Sequence, residues 1–131
     1  MITRESIENY LSENAPELQP TQNKLCIPII RRICAKMRAG IKFEEIKICE
    51  GMLIDGHHRY FSALLSGYEI GRVSSQKTSA TEIFSWQAIE FSDVDWDTPE
   101  HIAVLNQRDA DYNKIDLEIL TKLTSGKPEE S

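Results

Sequence analysis

The chain has 131 residues, 40% of them hydrophobic and 27% charged, with a formal net charge of −6. That length suits one domain able to bury a core unaided, and no apolar run approaches the roughly 20 residues a membrane helix needs. Residues 1–75 carry ten Lys/Arg against nine Asp/Glu, while residues 76–131 carry five against twelve, so the acidity sits in the second half. Such a balance argues against a general binder of duplex DNA, whose affinity comes from neutralising phosphates.

The start, "MITRESIENYLSENAPE", places acids where a secretion signal has basic and then apolar residues. A soluble, cytoplasmic protein is the expectation. Three cysteines, Cys26, Cys34 and Cys49, cannot all pair and form no C-x-x-C. Each lies among apolar neighbours and reads as a small buried hydrophobe in a reducing compartment.

In chain order, residues 3–14 read as a short helix with Ile7, Tyr10 and Leu11 on one face, closed by Pro16. "ELQPTQNKL" reads as an extended, turn-rich connector. A second helix, residues 28–39, starts with Pro28 in its first turn and stops at Gly40. Ile29, Ile30, Ile33, Cys34 and Met37 recur at helical spacing, and Arg31, Arg32, Lys36 and Arg38 fall mostly off that stripe. The expectation is one core face and one basic face, the latter a candidate surface for a protein or DNA partner. Residues 46–49 and 52–54 read as two strands around a Glu50-Gly51 turn.

Gly56 interrupts this pattern, after which Tyr60, Phe61, Leu64 and Leu65 take up helical spacing as far as Gly67. "LIDGHHRY" therefore straddles a strand end, a glycine bend and a helix start. Amides in a first helical turn lack intrahelical acceptors and favour an anion. Gly56 permits close backbone approach, Arg59 offers a planar fork of donors, and His57 and His58 can donate hydrogen bonds or move protons near neutral pH. Asp55, at the strand end, is a candidate Mg²⁺ ligand or general base. Either histidine alone is more often a satisfied structural residue than a functional one. An arginine in a first turn opposes the helix dipole, a conflict that a bound anion would remove. Adjacent histidines on a helix diverge by about 100°, which argues against one zinc ion between them.

"YEIGRVSS" and "EIFSWQAIEF" read as further strands. Thr98, Pro99 and Glu100 form a strong helix start, and a last helix over 113–123 is expected to turn Ile115, Ile119, Leu120 and Leu123 inward. The reading is an α+β fold: residues 1–17 an N-terminal helix, 18–124 one compact domain with a small mixed sheet and C-terminal helices, and 125–131 a disordered tail.

"GMLIDGHHRYFSALLSG" resembles the central motif of the ParB/sulfiredoxin superfamily, in which a Gly-containing turn leads into a His-Arg or Arg-Arg pair opening a helix. "LQPTQNKL" is similar to that superfamily's Pro-x-x-Gln-Pro-Arg box, with Lys24 where Arg is frequent. The resemblance covers residues 18–75. It implies a nucleotide-phosphate site for ATP, ADP or CTP, often with Mg²⁺, gripped here by Gly56, His57, His58 and Arg59, with Lys24 a second basic contact. Phosphoryl transfer or nucleotide hydrolysis would then use Asp55 as base or Mg²⁺ ligand, with His58 and Arg59 stabilising phosphoryl charge. The alternative is a ParB-like DNA-associated binding module, or a nuclease-annotated domain, without catalysis of its own. Sulfiredoxins carry a catalytic cysteine where this chain has His57, so sulfinic acid reduction is not expected. The partitioning proteins carry a helix-turn-helix domain after this one; the remainder here is short and acidic with only two helical segments, so full partitioning activity is not expected. The DGHHR form is nearer the branch that contains a free-serine kinase.

Overall fold

The computed structural model describes residues 1–125; the tail expected to be disordered lies outside the described residues except for Ser125. Helix α1 (Arg4–Glu13) starts with a reciprocal cap, in which Ser6 N–H donates to Thr3 Oγ1 and Thr3 N–H donates to Ser6 Oγ. The connector after it holds two short strands, β1 (Gln19–Pro20) and β2 (Lys24–Cys26). Helix α2 (Ile27–Arg38) follows at once, with Pro28 in its first turn and Gly40 beyond its end at φ 88°.

Strands β3 (Ile46–Cys49) and β4 (Met52–Asp55) form an antiparallel hairpin. Glu50 and Gly51 both have positive φ, 49° and 77°, which is the type I′ geometry whose twist matches the strands it joins. β4 runs into α3 (His57–Ser66) through Gly56 alone. After α3 come β5 (Arg72–Ser74), a single 3₁₀ turn (Trp86–Ala88), β6 (Glu90–Ser92), α4 (Pro99–Asn113) and α5 (Leu117–Leu123). The main sheet has the order β1-β4-β3-β5, with β1 parallel to β4 and β5 parallel to β3. β2 and β6 pair separately in parallel. The chain is thus a mixed α/β domain of five helices and a small mixed sheet.

Two expected strands are shorter than their composition suggested. Of "YEIGRVSS" only residues 72–74 pair, and of "EIFSWQAIEF" only the end pairs, with β2, because Trp86 turns inward to the core instead of continuing an alternation. In the last helix Leu120 is fully buried, but Ile119 faces solvent, since α5 begins only at Leu117 and is a turn shorter than expected.

One apolar cluster spans α1, the connector, α2, the hairpin, α3 and the 86–91 segment. The first helix is therefore part of the same core, through Ile7 and Leu11. Phe61 is central: it stacks on Trp86 at 5.4 Å, meets Phe91 at 5.4 Å and takes the edge of Tyr10 at 6.1 Å. A smaller cluster of Ile41, Ala110 and Leu120 seats the C-terminal helices. No helix among the described residues is long and apolar enough to cross a membrane.

Phe61→Ala removes the ring shared by three aromatic neighbours and leaves a cavity. A loss of roughly 3–5 kcal/mol of unfolding free energy is expected in urea denaturation with the slope unchanged; a loss below about 1 kcal/mol would mean that this packing is not what holds the sheet to α1.

Candidate functional site

The junction expected at residues 53–60 has the anticipated form. β4 ends at Asp55, Gly56 takes φ 93° and ψ 34°, and α3 begins at His57. A side chain is excluded at Gly56 twice over. The backbone is left-handed, and an added Cβ would lie 2.8 Å from both Ile46 Cγ2 and Arg59 Nη2. The first intrahelical donor is Tyr60 N–H, to Gly56 O at 2.8 Å. The amides of His57, His58 and Arg59 precede it, no side chain caps them, and the first turn contains no acid.

The two histidines are placed by the connector. Thr21 N–H donates to His57 Nε2 at 3.0 Å, and Cys26 N–H donates to His58 Nε2 at 2.9 Å. A backbone amide can only donate, so each Nε2 is an acceptor and each ring carries its single proton on Nδ1. His57 is 5% exposed. Burial pulls its pKa down to about 4, against an opposing pull from Asp55. Burial, with His57 adding to it, does the same to His58, also to about 4, and Asp97 opposes this. The edge of one ring meets the face of the other where His58 and Trp96 pack at 5.4 Å.

These facts change what the histidines can do. The expectation that they donate hydrogen bonds or move protons near neutral pH meets rings whose Nε2 atoms are already occupied, leaving Nδ1–H as the donor of each and burial opposing their charging. Their adjacency serves the 100° step of the helix, which aims one ring at Thr21 and the next at Cys26. Tyr60 continues the pattern, since its hydroxyl accepts from Leu18 N–H at 3.1 Å. The partners Thr21, Cys26 and Leu18 carried no signal in the sequence, because a backbone amide is donated by almost any residue.

Arg59 folds back over Gly56. Its Nη2 donates to Glu45 O at 3.2 Å and lies 3.9 Å from Asp55 Oδ2, while its Nε–H is buried without an acceptor. Asp55 is largely exposed. The structure thus brings together Asp55, Gly56, Arg59 and the first-turn amides. Lys24, expected as a second basic contact, lies 3.5 Å from Glu90, its register partner across the β2–β6 pair, with both side chains exposed.

For a metal, Asp55 is one exposed carboxylate, and among the described residues no group of three or more His, Cys, Asp or Glu is arranged around a common point. That donor set does not fit a protein-only cage. It does fit Mg²⁺ that arrives on phosphate oxygens, which needs as few as one protein carboxylate. Asp93 and Asp95, the distant acids a nuclease reading would recruit, are paired with Arg4 and Arg32.

The basic face of α2 also differs from expectation. Arg32 makes a two-pronged bond to Asp95 at 2.6 and 2.8 Å and a third to Asp97 at 3.0 Å. Lys36 is buried and meets Asp109 at 2.6 Å. Arg31 donates to Ile2 O. Carboxylates from the acidic half thus meet two of the four cations on this face, while Arg31 and Arg38 stay exposed and form no ion pair among the described residues.

Both histidines are depressed in the folded chain relative to the ordinary value of 6.5. The unfolded chain therefore takes up protons first, and the stability these rings contribute is full above about 6.5 and lost as pH falls towards 4. Denaturant midpoints measured across that window should fall with pH, and the double variant His57→Asn/His58→Asn should show a flatter dependence; an equally steep profile in the variant would place the acid sensitivity elsewhere.

Comparison with known protein families, curated proteins and solved structures found no match to this chain.

Proposed function

We propose that this chain binds the phosphates of a nucleotide, such as ATP, ADP or CTP, at the start of α3. The observation that carries the reading is an uncapped first turn beside an arginine that has not filled its own hydrogen-bonding capacity. Three amides precede the first intrahelical donor, with no side chain capping them and no acid within the first turn. The buried Nε–H of Arg59 costs the resting side chain about 1–3 kcal/mol of unmet hydrogen bonding. A phosphate that drew the guanidinium off Gly56 would relieve that cost and the clash of its charge with the helix dipole.

The resemblance of "DGHHRY" to the ParB/sulfiredoxin motif supports the same ligand class, with the duties divided differently among the residues. His57 and His58 hold the connector in place beneath the site, and Arg59 with the amides contacts phosphate. Asp55 stands where it can bind Mg²⁺ carried by the nucleotide or accept a proton from an attacking hydroxyl. Mg²⁺, when bound, would neutralise phosphate charge. Phosphoryl transfer or hydrolysis through Asp55 is the activity this arrangement favours.

A melting-temperature panel of ATP, ADP, CTP and GTP, each with and without Mg²⁺, tests the proposal. A nucleotide at about 100 times its dissociation constant adds roughly 2.7 kcal/mol, or a rise of roughly 10 °C for a domain of this size. Arg59→Gln, which keeps a donor near Glu45 O, should abolish most of that rise. No rise with any nucleotide, or an undiminished rise in Arg59→Gln, overturns the proposal.

A further inference from the structure

Between α2, α4 and residues 42–44 lies a cavity of about 180 Å³. Its apolar lining comes from Ile29, Ile33, Phe43, Leu105 and Tyr112. Two of its cations are already matched, Arg32 by Asp97 and Lys36 by Asp109. Lys42, from the 42–44 segment, and Arg108, from α4, also line it and form no ion pair among the described residues. The whole lining carries five cations (Arg32, Lys36, Lys42, Arg59, Arg108) against three carboxylates (Glu44, Asp97, Asp109), an excess of two in a chain whose net charge is −6.

We infer that this cavity binds a small organic carboxylate with an apolar, ring-sized body. The volume equals the share of about six water molecules and falls below the roughly 300 Å³ of sites for drug-sized ligands. The apolar part of the lining rewards a hydrocarbon or aromatic group, and the two unpaired cations reward one negative charge. A neutral ligand of the same shape leaves Lys42 and Arg108 unmatched. A polyanion would meet the carboxylates of Glu44, Asp97 and Asp109 in the same lining. Asn113 fixes the Lys42 backbone from both sides, accepting from Lys42 N–H at 2.7 Å and donating to Lys42 O at 3.1 Å. The Lys42 arm of the site is therefore anchored to the end of α4 before any ligand arrives. Arg59 forms one wall, so the cavity borders the proposed phosphate site, but the inference does not depend on that site.

Benzoate is the probe, and benzamide its neutral counterpart of equal shape. In amide NMR titrations of the full chain, benzoate should saturate at millimolar concentrations, as a fragment of this size does, and should move Phe43, Leu105 and Tyr112. Benzamide should bind at least roughly tenfold more weakly, and Arg108→Gln and Lys42→Gln, both at exposed positions, should each weaken benzoate by roughly tenfold. Equal affinity for the two probes, shifts confined to other residues, no saturation by about 50 mM, or undiminished binding in both variants overturns the inference. Running the nucleotide panel on the same protein separates the two sites. Benzoate binding without a nucleotide response counts against the phosphate site alone, and the reverse counts against the cavity alone.

Discussion

Three backbone amides of the connector, at Leu18, Thr21 and Cys26, find their acceptors on side chains of α3: the Tyr60 hydroxyl, His57 Nε2 and His58 Nε2. The rest of the architecture depends on this seam. The connector is too short and irregular to satisfy its own peptide groups, because β1 and β2 are only two and three residues long. A buried amide without an acceptor costs about 1–3 kcal/mol, so without these rings the chain between α1 and α2 could not lie against the core. Trp86 completes the seam from the far side by donating to Leu18 O at 2.9 Å. The acceptors must be uncharged to work, which ties the fold to neutral imidazoles and hence to pH.

The seam also explains the local order of residues. Consecutive helical positions diverge by about 100°, so His57 and His58 reach two points of the connector and Arg59 falls on the next direction, over Gly56. Had either histidine been charged, two positive groups would crowd a helix start that already carries partial positive charge. With both neutral, Arg59 is the one full positive charge in that turn. Cations of the first 75 residues and carboxylates of the acidic half are likewise joined across the fold. Arg4 with Asp93, Arg32 with Asp95 and Asp97, and Lys36 with Asp109 join early cations to late carboxylates. Four carboxylates of the acidic half are thereby matched by cations from the first half, while Lys42 and Arg108 beside α2 form no ion pair among the described residues.

Features set by neighbours in sequence were readable there. Thr98 and Pro99 start α4, Glu50-Gly51 make a hairpin turn, and Gly56 bends the chain, because each acts on its own backbone within a few residues. The roles of His57, His58 and Lys24 were not readable in the same way. Each is decided by a partner 32 to 66 residues distant in the chain (Thr21, Cys26, Glu90), and two of those partners contribute only a backbone amide. The pairing of Arg32 and Lys36 on α2 was hidden for the same reason: helical spacing tells which residues leave the core stripe, but not what will meet them. Trp86 was readable as apolar and not as a break in a strand, since only the tertiary contact with Phe61 decides that its ring turns inward.

The seam divides the α3 start into a fixed side and an available side. Thr21, Cys26 and Leu18 hold His57, His58 and Tyr60 from the connector, and the connector is held in turn where Thr21 Oγ1 donates to Leu53 O at 2.7 Å. Gly56 is locked between Ile46 and the helix by a left-handed backbone with no room for a side chain. The groups left to respond are Asp55, exposed at the strand end, and Arg59, whose side-chain polar contacts among the described residues are made through Nη2. A site built this way keeps its amide donors rigid and its one cation movable. Rigid donors lower the ordering cost of binding an anion, and a movable guanidinium lets anions of different size be met without disturbing the core. Selectivity would then have to come from what lies beside the phosphate, and in this fold Arg59 opens on that side to the cavity over α2.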